Sequence, residues 1–178
     1  NKALSEIKTE LEQAPETERG LLLELYAEDE RKGVRNLIGL YRKITEELQR
    51  ERDRVEKLCE YEKRYAQYGS IGGIDEVGRG PLAGPVVAGA VILPKACRIL
   101  YIKDSKKLSG KKRGELYTII MERAIAVGVG YVSPARIDEI NILQATYEAM
   151  RQAITKLSER PELLLNDAVR IPGVDIPQ

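Results

Sequence analysis

The chain has 178 residues, 43% apolar and 32% charged, with 29 Lys/Arg against 28 Asp/Glu and a net charge of +1. Near-neutrality excludes a general polyanion binder, so any nucleic-acid contact must come from local patches. Histidine is absent, which excludes histidine triads, histidine general bases and His-ligated zinc and leaves catalysis to carboxylates or lysines.

The charge is unevenly placed. Residues 1–66 carry 14 Lys/Arg and 16 Asp/Glu, net −2, whereas residues 67–178 carry 15 and 12, net +3. Cys59 and Cys97 lack CxxC spacing and read as reduced thiols. No apolar run reaches membrane-spanning length and no signal peptide is evident, which predicts a cytoplasmic protein with no membrane contact.

Residues 1–66 read as helical. Leu4, Ile7 and Leu11 mark a short helix broken near Pro15, and a second covers about Thr17 to Ala27. From Asp29, an N-cap, a long helix runs to about Tyr65. Its stripe is Val34, Leu37, Tyr41, Ile44, Leu48, Val55, Leu58 and Tyr65, with Glu51 and Glu62 in the gaps. The pattern predicts an all-α helical hairpin with a coiled-coil seam, whose protein partner, if any, is unknown.

The helical period stops at Gln67 to Gly73, so the domains are 1–66, a helical extension, and 67–178. Strands follow at Ile71 to Val77, at Pro85 to Leu93 and, more briefly, at Arg98 to Ile102. The second is nearly all apolar, as a strand covered on both faces should be. Ser109 caps a helix to about Val127, and Gly128 to Val132 is a strand. Asn141 with Gln144 forms a capping box that opens a helix to about Leu157. The last strand, Glu162 to Ala168, carries Asp167 at its end. This order is α/β, an antiparallel meander joined to α/β units. The chain starts at Asn1 without Met and closes on the turn-rich residues 172–178, which predicts a fragment of a longer protein.

Gly73 to Pro85 carries the chemistry. Asp75 and Glu76 end an apolar strand, where carboxylates suit a divalent cation on a rigid support. Successive strand residues face opposite ways, so both reach one metal only if the strand bends. Asp167, after three leucines, is a third carboxylate for adjacent strand ends, and such a cluster repels itself until cations relieve it. Gly78-Arg79-Gly80 offers bare backbone for close approach to a ribose, or forms only a tight turn. The patch Lys103, Lys106, Lys107, Lys111, Lys112 and Arg113 opposes only Asp104. With Ser105 it precedes a helix N-terminus suited to phosphate, or is a solvated turn. Asn141 reads as a helix cap, and Asp138 and Glu139 as surface charge.

Together these segments resemble bacterial ribonuclease HII, in family order over about 100 residues. They are Gly73 to Pro94, Asp104 to Ser109, Ile137 to Thr146 and Leu165 to Ala168. Gly-Arg-Gly is similar to the HII type rather than to type HIII. The resemblance implies a ribonuclease H-like fold, incomplete at the C-terminus. It implies an endonuclease that cuts the RNA strand of RNA–DNA hybrids, and single ribonucleotides in duplex DNA, with two Mg²⁺ or Mn²⁺ ions. Cleavage on the 5′ side of the ribonucleotide leaves 3′-hydroxyl and 5′-phosphate ends. Carried over, Asp75, Glu76 and Asp167 are catalytic metal-binding carboxylates, and Gly78, Arg79 and Gly80 sense the 2′-hydroxyl. Ser105, Lys106 and Asn141 meet the nucleic-acid backbone. The family's fourth carboxylate and sensor tyrosine fall beyond Gln178, so these 178 residues alone are expected to be inactive or severely impaired. The alternative is a non-catalytic nucleic-acid-binding or docking module that keeps the motif as scaffold.

Overall fold

The computed structural model describes residues 2–80, 83–167 and 169–178. Pro81 and Leu82 of the glycine-rich motif, and Ala168 after the last strand, lie outside the described residues. Two compact units divide the chain at residues 1–57 and 58–178. No helix among the described residues is long and apolar enough to cross a membrane.

The first unit contains α1 (Leu4–Gln13), α2 (Glu16–Leu25) and most of α3 (Lys32–Leu58). Apolar residues at helical spacing place Ile7, Leu11, Leu23, Val34 and Ile38 in one core, with Leu22, Tyr26, Leu37 and Tyr41 packed against it. The expected helices are present, but the core joins three of them rather than the two arms of a hairpin. The predicted stripe holds at Val34 and Val55 and fails at Ile44 and Leu58, both exposed. Glu51, in a gap of the stripe, is buried; the Arg54 guanidinium grips both its carboxylate oxygens at 2.7 Å, pairing the charge. Asp29 accepts from the Arg31 amide at 3.0 Å and from its guanidinium, holding the approach to α3. The long helix ends at Leu58, earlier than expected, and a separate α4 covers Glu60–Arg64.

The second unit is built on a mixed sheet of β1 (Ile71–Val77), β2 (Val86–Ile92), β3 (Ala126–Val132) and β4 (Leu163–Asn166), in the order β3-β2-β1-β4. β1 and β3 are antiparallel to β2, and β4 is parallel to β1. One face is covered by α6 (Pro134–Thr155): Ile74, Val86, Ala88, Ala90 and Val132 meet Ala145, Ala149, Met150 and Ala153. Helix and strand touch at backbone distance. A β-carbon at Gly128 would lie 2.0 Å from the Ala153 carbonyl oxygen, and one at Gly130 would lie 1.8 Å from that of Ala149. Two further contacts lock α6 to β3. The Tyr131 amide donates to Gln152 Oε1 at 3.0 Å, and Lys156 Nζ donates to the Val129 carbonyl at 2.8 Å.

β2 departs from expectation. Its even-numbered residues are buried, but Gly89 is exposed and Val87 and Val91 are half-buried, so only the α6 face is fully covered among the described residues. On that open face Val77, Val129 and Tyr131 are exposed. Residues 98–102 form no strand, because Tyr101 turns the chain with φ 66°. A short 3-10 turn, Ser105–Lys107, leads into α5 (Gly110–Arg123), whose N-cap Ser109 accepts from the Lys112 amide at 3.2 Å. Residues 172–178 are docked rather than loose. The Leu164 amide donates to the Pro177 carbonyl at 2.8 Å, and the Gln178 carboxamide both accepts from and donates to the Ile171 backbone.

Candidate active site

β1 stays regular through Val77, so Asp75 and Glu76 leave it on opposite faces. Asp75 is exposed on the open face and accepts a hydrogen bond from the Glu76 amide at 2.8 Å. Glu76 lies on the same side as Ile74, with its side chain only 17% exposed and its Oε1 3.5 Å from Arg79 Nη1. The bend that would turn both carboxylates to one point is absent from the strand; the chain turns one residue later, at Gly78.

Asp167 follows directly on β4. The parallel register ends at the pair Ile74–Asn166, Asn166 being the last residue of β4, so Asp167 lies one residue beyond the paired strand end. Asp75 and Asp167 are both exposed. Neighbouring strands β1 and β4 therefore carry exposed carboxylates toward their ends, hard oxygen donors of the kind that suits Mg²⁺ or Mn²⁺ rather than a thiophilic metal. Among the described residues, no three Asp, Glu, Cys or His side chains are grouped closely enough to hold a metal ion. Glu76 parts from Asp75 by strand alternation and lies against Arg79.

The two glycines of the following turn differ. Gly78 has φ 95°, and a β-carbon there would lie 2.2 Å from the Pro85 carbonyl oxygen. The turn itself demands this glycine. At Gly80, apart from its chain neighbours, no atom of the described residues lies within 4 Å of such a carbon, and φ is not in the left-handed region. Among the described residues, packing does not require a glycine at Gly80 as it does at Gly78.

The other predicted contacts sit at element starts. Ser105 opens the 3-10 turn, and its carbonyl accepts from Arg113 at 3.3 Å. The Lys106 amide donates to Asp104 Oδ1 at 3.0 Å, leaving its exposed ammonium without a partner among the described residues. Asn141 stands at a kink inside α6, with φ 69° and ψ 163°, and its Oδ1 accepts from the Gln144 amide at 3.1 Å. The cap exists, but it restarts a helix that Ser133 and Pro134 began eight residues earlier. Arg136 escaped the sequence reading. It pairs with Glu139 at 2.8 Å and with Glu148 at 3.2 Å, bracing the two halves of the kinked helix. The Arg136–Glu139 spacing is a visible signal, whereas Glu148 becomes a neighbour only through the kink.

Comparison with known proteins gives these features a context. A family model described as Ribonuclease HII matches residues 72–175, and one described as Ribonuclease HII N-terminal domain matches residues 3–66. A protein named Ribonuclease HII from Lachnoclostridium phytofermentans is 61% identical over the whole chain, which spans 70% of its length. Namesakes from Bacillus cytotoxicus and Bacillus anthracis are 49% and 52% identical over 96% and 87% of the chain, which covers 66% and 61% of their lengths. A solved structure, the ribonuclease H2 from Pyrococcus horikoshii OT3, superposes on 57% of this chain and 52% of its own at TM-score 0.46 and 28% identity. The sequence matches, and not that partial superposition, define the class as a ribonuclease H, a nuclease carried on a mixed α/β sheet. The chain belongs to the ribonuclease HII family, and it spans about two thirds of the length of the curated relatives it matches.

Proposed function

We propose that the protein is an endoribonuclease that hydrolyses the RNA strand of RNA–DNA hybrids and cuts duplex DNA at single embedded ribonucleotides. It cuts on the 5′ side of the ribonucleotide and leaves 3′-hydroxyl and 5′-phosphate ends. The observation that supports this reading is the family match over residues 72–175, with β1 and β4 paired in parallel and carrying Asp75 and Asp167 toward their ends beside the turn Gly78-Arg79-Gly80.

Two divalent ions, Mg²⁺ or Mn²⁺, would supply Lewis-acid stabilisation and an activated water. Asp75 and Asp167 would hold them, joined by Glu76 once Arg79 releases it to a phosphate. The amides of Gly78-Arg79-Gly80 approach the ribose and accept only a sugar that carries a 2′-hydroxyl. Lys106 and the free carboxamide nitrogen of Asn141 position the strand, with the Ser105 hydroxyl beside them. Cys59 and Cys97 are not in a disulfide among the described residues, which suits a cytoplasmic setting. The resemblance assigns a fourth carboxylate and a sensor tyrosine to sequence beyond Gln178, so residues 1–178 alone would be inactive or severely impaired.

A second reading has one observation in its favour. Glu76 points away from Asp75 and is tied to Arg79, as it would be in a binding module that keeps the motif as scaffold. Mn²⁺ titration by calorimetry and cleavage of a duplex with one ribonucleotide separate the two, using protein of the relatives' full length. The nuclease reading expects Asp75→Asn and Asp167→Asn each to lose metal binding and at least a hundredfold in rate, about 2.7 kcal/mol. Unchanged cleavage in both variants would sink it.

A further inference from the structure

Both cysteines of the chain, Cys59 and Cys97, line a single cavity of about 350 Å³ within the second unit. Part of its wall is the open face of the sheet: Ile71 and Gly73 of β1, Val91 of β2, and Leu165, the partner of Gly73 on β4. Cys59 and Ala66, which flank α4, and Cys97, from the turn after β2, also line it. The lining is mostly apolar, and the volume is that of a small-molecule site rather than of a packing defect.

Gly73 adds room to the cavity. A β-carbon there would meet no atom of the described residues within 4 Å, apart from its chain neighbours, and its φ is not left-handed. Packing among the described residues therefore does not require a glycine at this point of the wall. Cys97 is held in place by its backbone, whose amide donates to the Pro94 carbonyl at 2.8 Å and whose carbonyl accepts from Arg98 Nη1 at 3.1 Å. The Lys95 ammonium, on the same cavity, donates to the Ala66 carbonyl at 3.2 Å and has two further N–H groups to offer.

We propose that this cavity is a covalent site for a small apolar electrophile of the enone or quinone class. The apolar walls take up its body, a thiolate meets its soft β-carbon, and the Lys95 ammonium donates to its carbonyl oxygen. The Cys97 thiol gives its proton to water, and the sulfur forms a C–S bond to the β-carbon. The π pair of the C=C bond moves to the α-carbon, which takes a proton from water, so the adduct holds every atom of the thiol and of the acceptor. Cys59 supplies a second thiol on the same cavity. A hydrophilic electrophile gains nothing from such walls, which makes the site selective for apolar ones. Gly73 precedes Asp75 by two residues on the same face of β1, so the adduct lies against the strand that carries that carboxylate.

The test follows alkylation of the full-length protein by N-phenylmaleimide, an apolar acceptor, and by iodoacetamide, a polar alkylator. Each rate is divided by the reagent's rate with glutathione, and each modified residue is located by peptide mass. N-phenylmaleimide is expected to modify Cys97 at a rate that saturates with reagent, and to exceed iodoacetamide about tenfold on this relative scale through burial of its ring. Gly73→Val fills the space with a residue that suits a strand, and should melt close to the parent while losing the saturation and the preference. Lys95→Met should slow N-phenylmaleimide about threefold relative to iodoacetamide. A parent rate that is linear in reagent and shows no preference overturns the proposal, as does modification that spares Cys97. A folded Gly73→Val protein that reacts as the parent does also overturns it. Should that variant unfold, equal N-phenylmaleimide rates in Lys95→Met and the parent have the same force.

Discussion

Gly130→Ala tests how closely α6 lies on β3. The new methyl carbon would meet the Ala149 carbonyl oxygen at 1.8 Å, its carbon at 2.7 Å and the Ala153 nitrogen at 2.9 Å. All three are backbone atoms, so no side chain can swing aside, and the helix must lift by more than 1 Å to restore van der Waals distance. Lifting it loosens the packing of Ala145, Ala149, Met150 and Ala153 on Val86, Ala88, Ala90 and Val132. Overpacking costs about 1–3 kcal/mol where side chains can adjust, so a backbone clash belongs near about 3 kcal/mol. For a unit of this size that is a fall in Tm of about 10 °C. Gly89→Ala is the control: it sits in β2 on the open face with nothing within 4 Å of its new carbon, and should melt within about 2 °C of the parent. Calorimetric melting of the two variants side by side decides the matter. A Gly130→Ala protein that melts with the Gly89→Ala control would refute the account of strand–helix contact.

Two further predictions concern the turn and the helical unit. Gly78→Ala should lower stability by about 2–3 kcal/mol, from a positive φ and a β-carbon 2.2 Å from a carbonyl oxygen, whereas Gly80→Ala should melt like the parent yet cut ribonucleotide duplexes more slowly. Equal Tm losses in the two variants would show that Gly80 is structural after all. The Arg31 guanidinium beside Asp29 holds its carboxyl down to about 2, against 3.8 ordinarily. A depressed folded-state value means stability that is present above pH 4 and lost as pH falls toward 2. Asp29→Asn should remove that part of the acid dependence, read as helical circular dichroism between pH 5 and 1.5. Because the pair is exposed, 1 M NaCl should shrink the difference; identical acid profiles in parent and variant would contradict the assignment.

The parts of the fold written in local chemistry were legible beforehand. The apolar run Ile71 to Val77 gave β1 its limits, Ser109 announced its helix, and the leucines before Asp167 marked a buried strand that delivers a carboxylate at its end. Strand alternation set the condition that Asp75 and Glu76 share a metal only if the strand bends, and the expected bend does not occur within β1. What stayed hidden depends on neighbours distant in sequence. Residues 98–102 look like a strand until Tyr101 is seen turning the chain. An apolar β2 does not reveal that only one of its faces is packed. Asn141 marked a cap, whereas the Ser133-Pro134 start, a local signal whose serine hydroxyl accepts from the Arg136 amide, was passed over. The tail 172–178 reads only as turn-rich because its anchors, Leu164 and Ile171, reveal themselves only in three dimensions.

The two ties from α6 to β3 bear on how the protein behaves at high concentration. β3 is an outer strand, and its sequence, Ala-Val-Gly-Val-Gly-Tyr-Val, has no charge and no proline. A bare edge of that composition is a template on which another chain can add a strand, the first step of aggregation. Gln152 and Lys156 occupy the Tyr131 amide and the Val129 carbonyl, so an incoming strand would have to displace both. Lys156 also leaves its charge beside that edge, where a second copy would bring the same charge. The helix that builds the core thereby guards the sheet against its own kind.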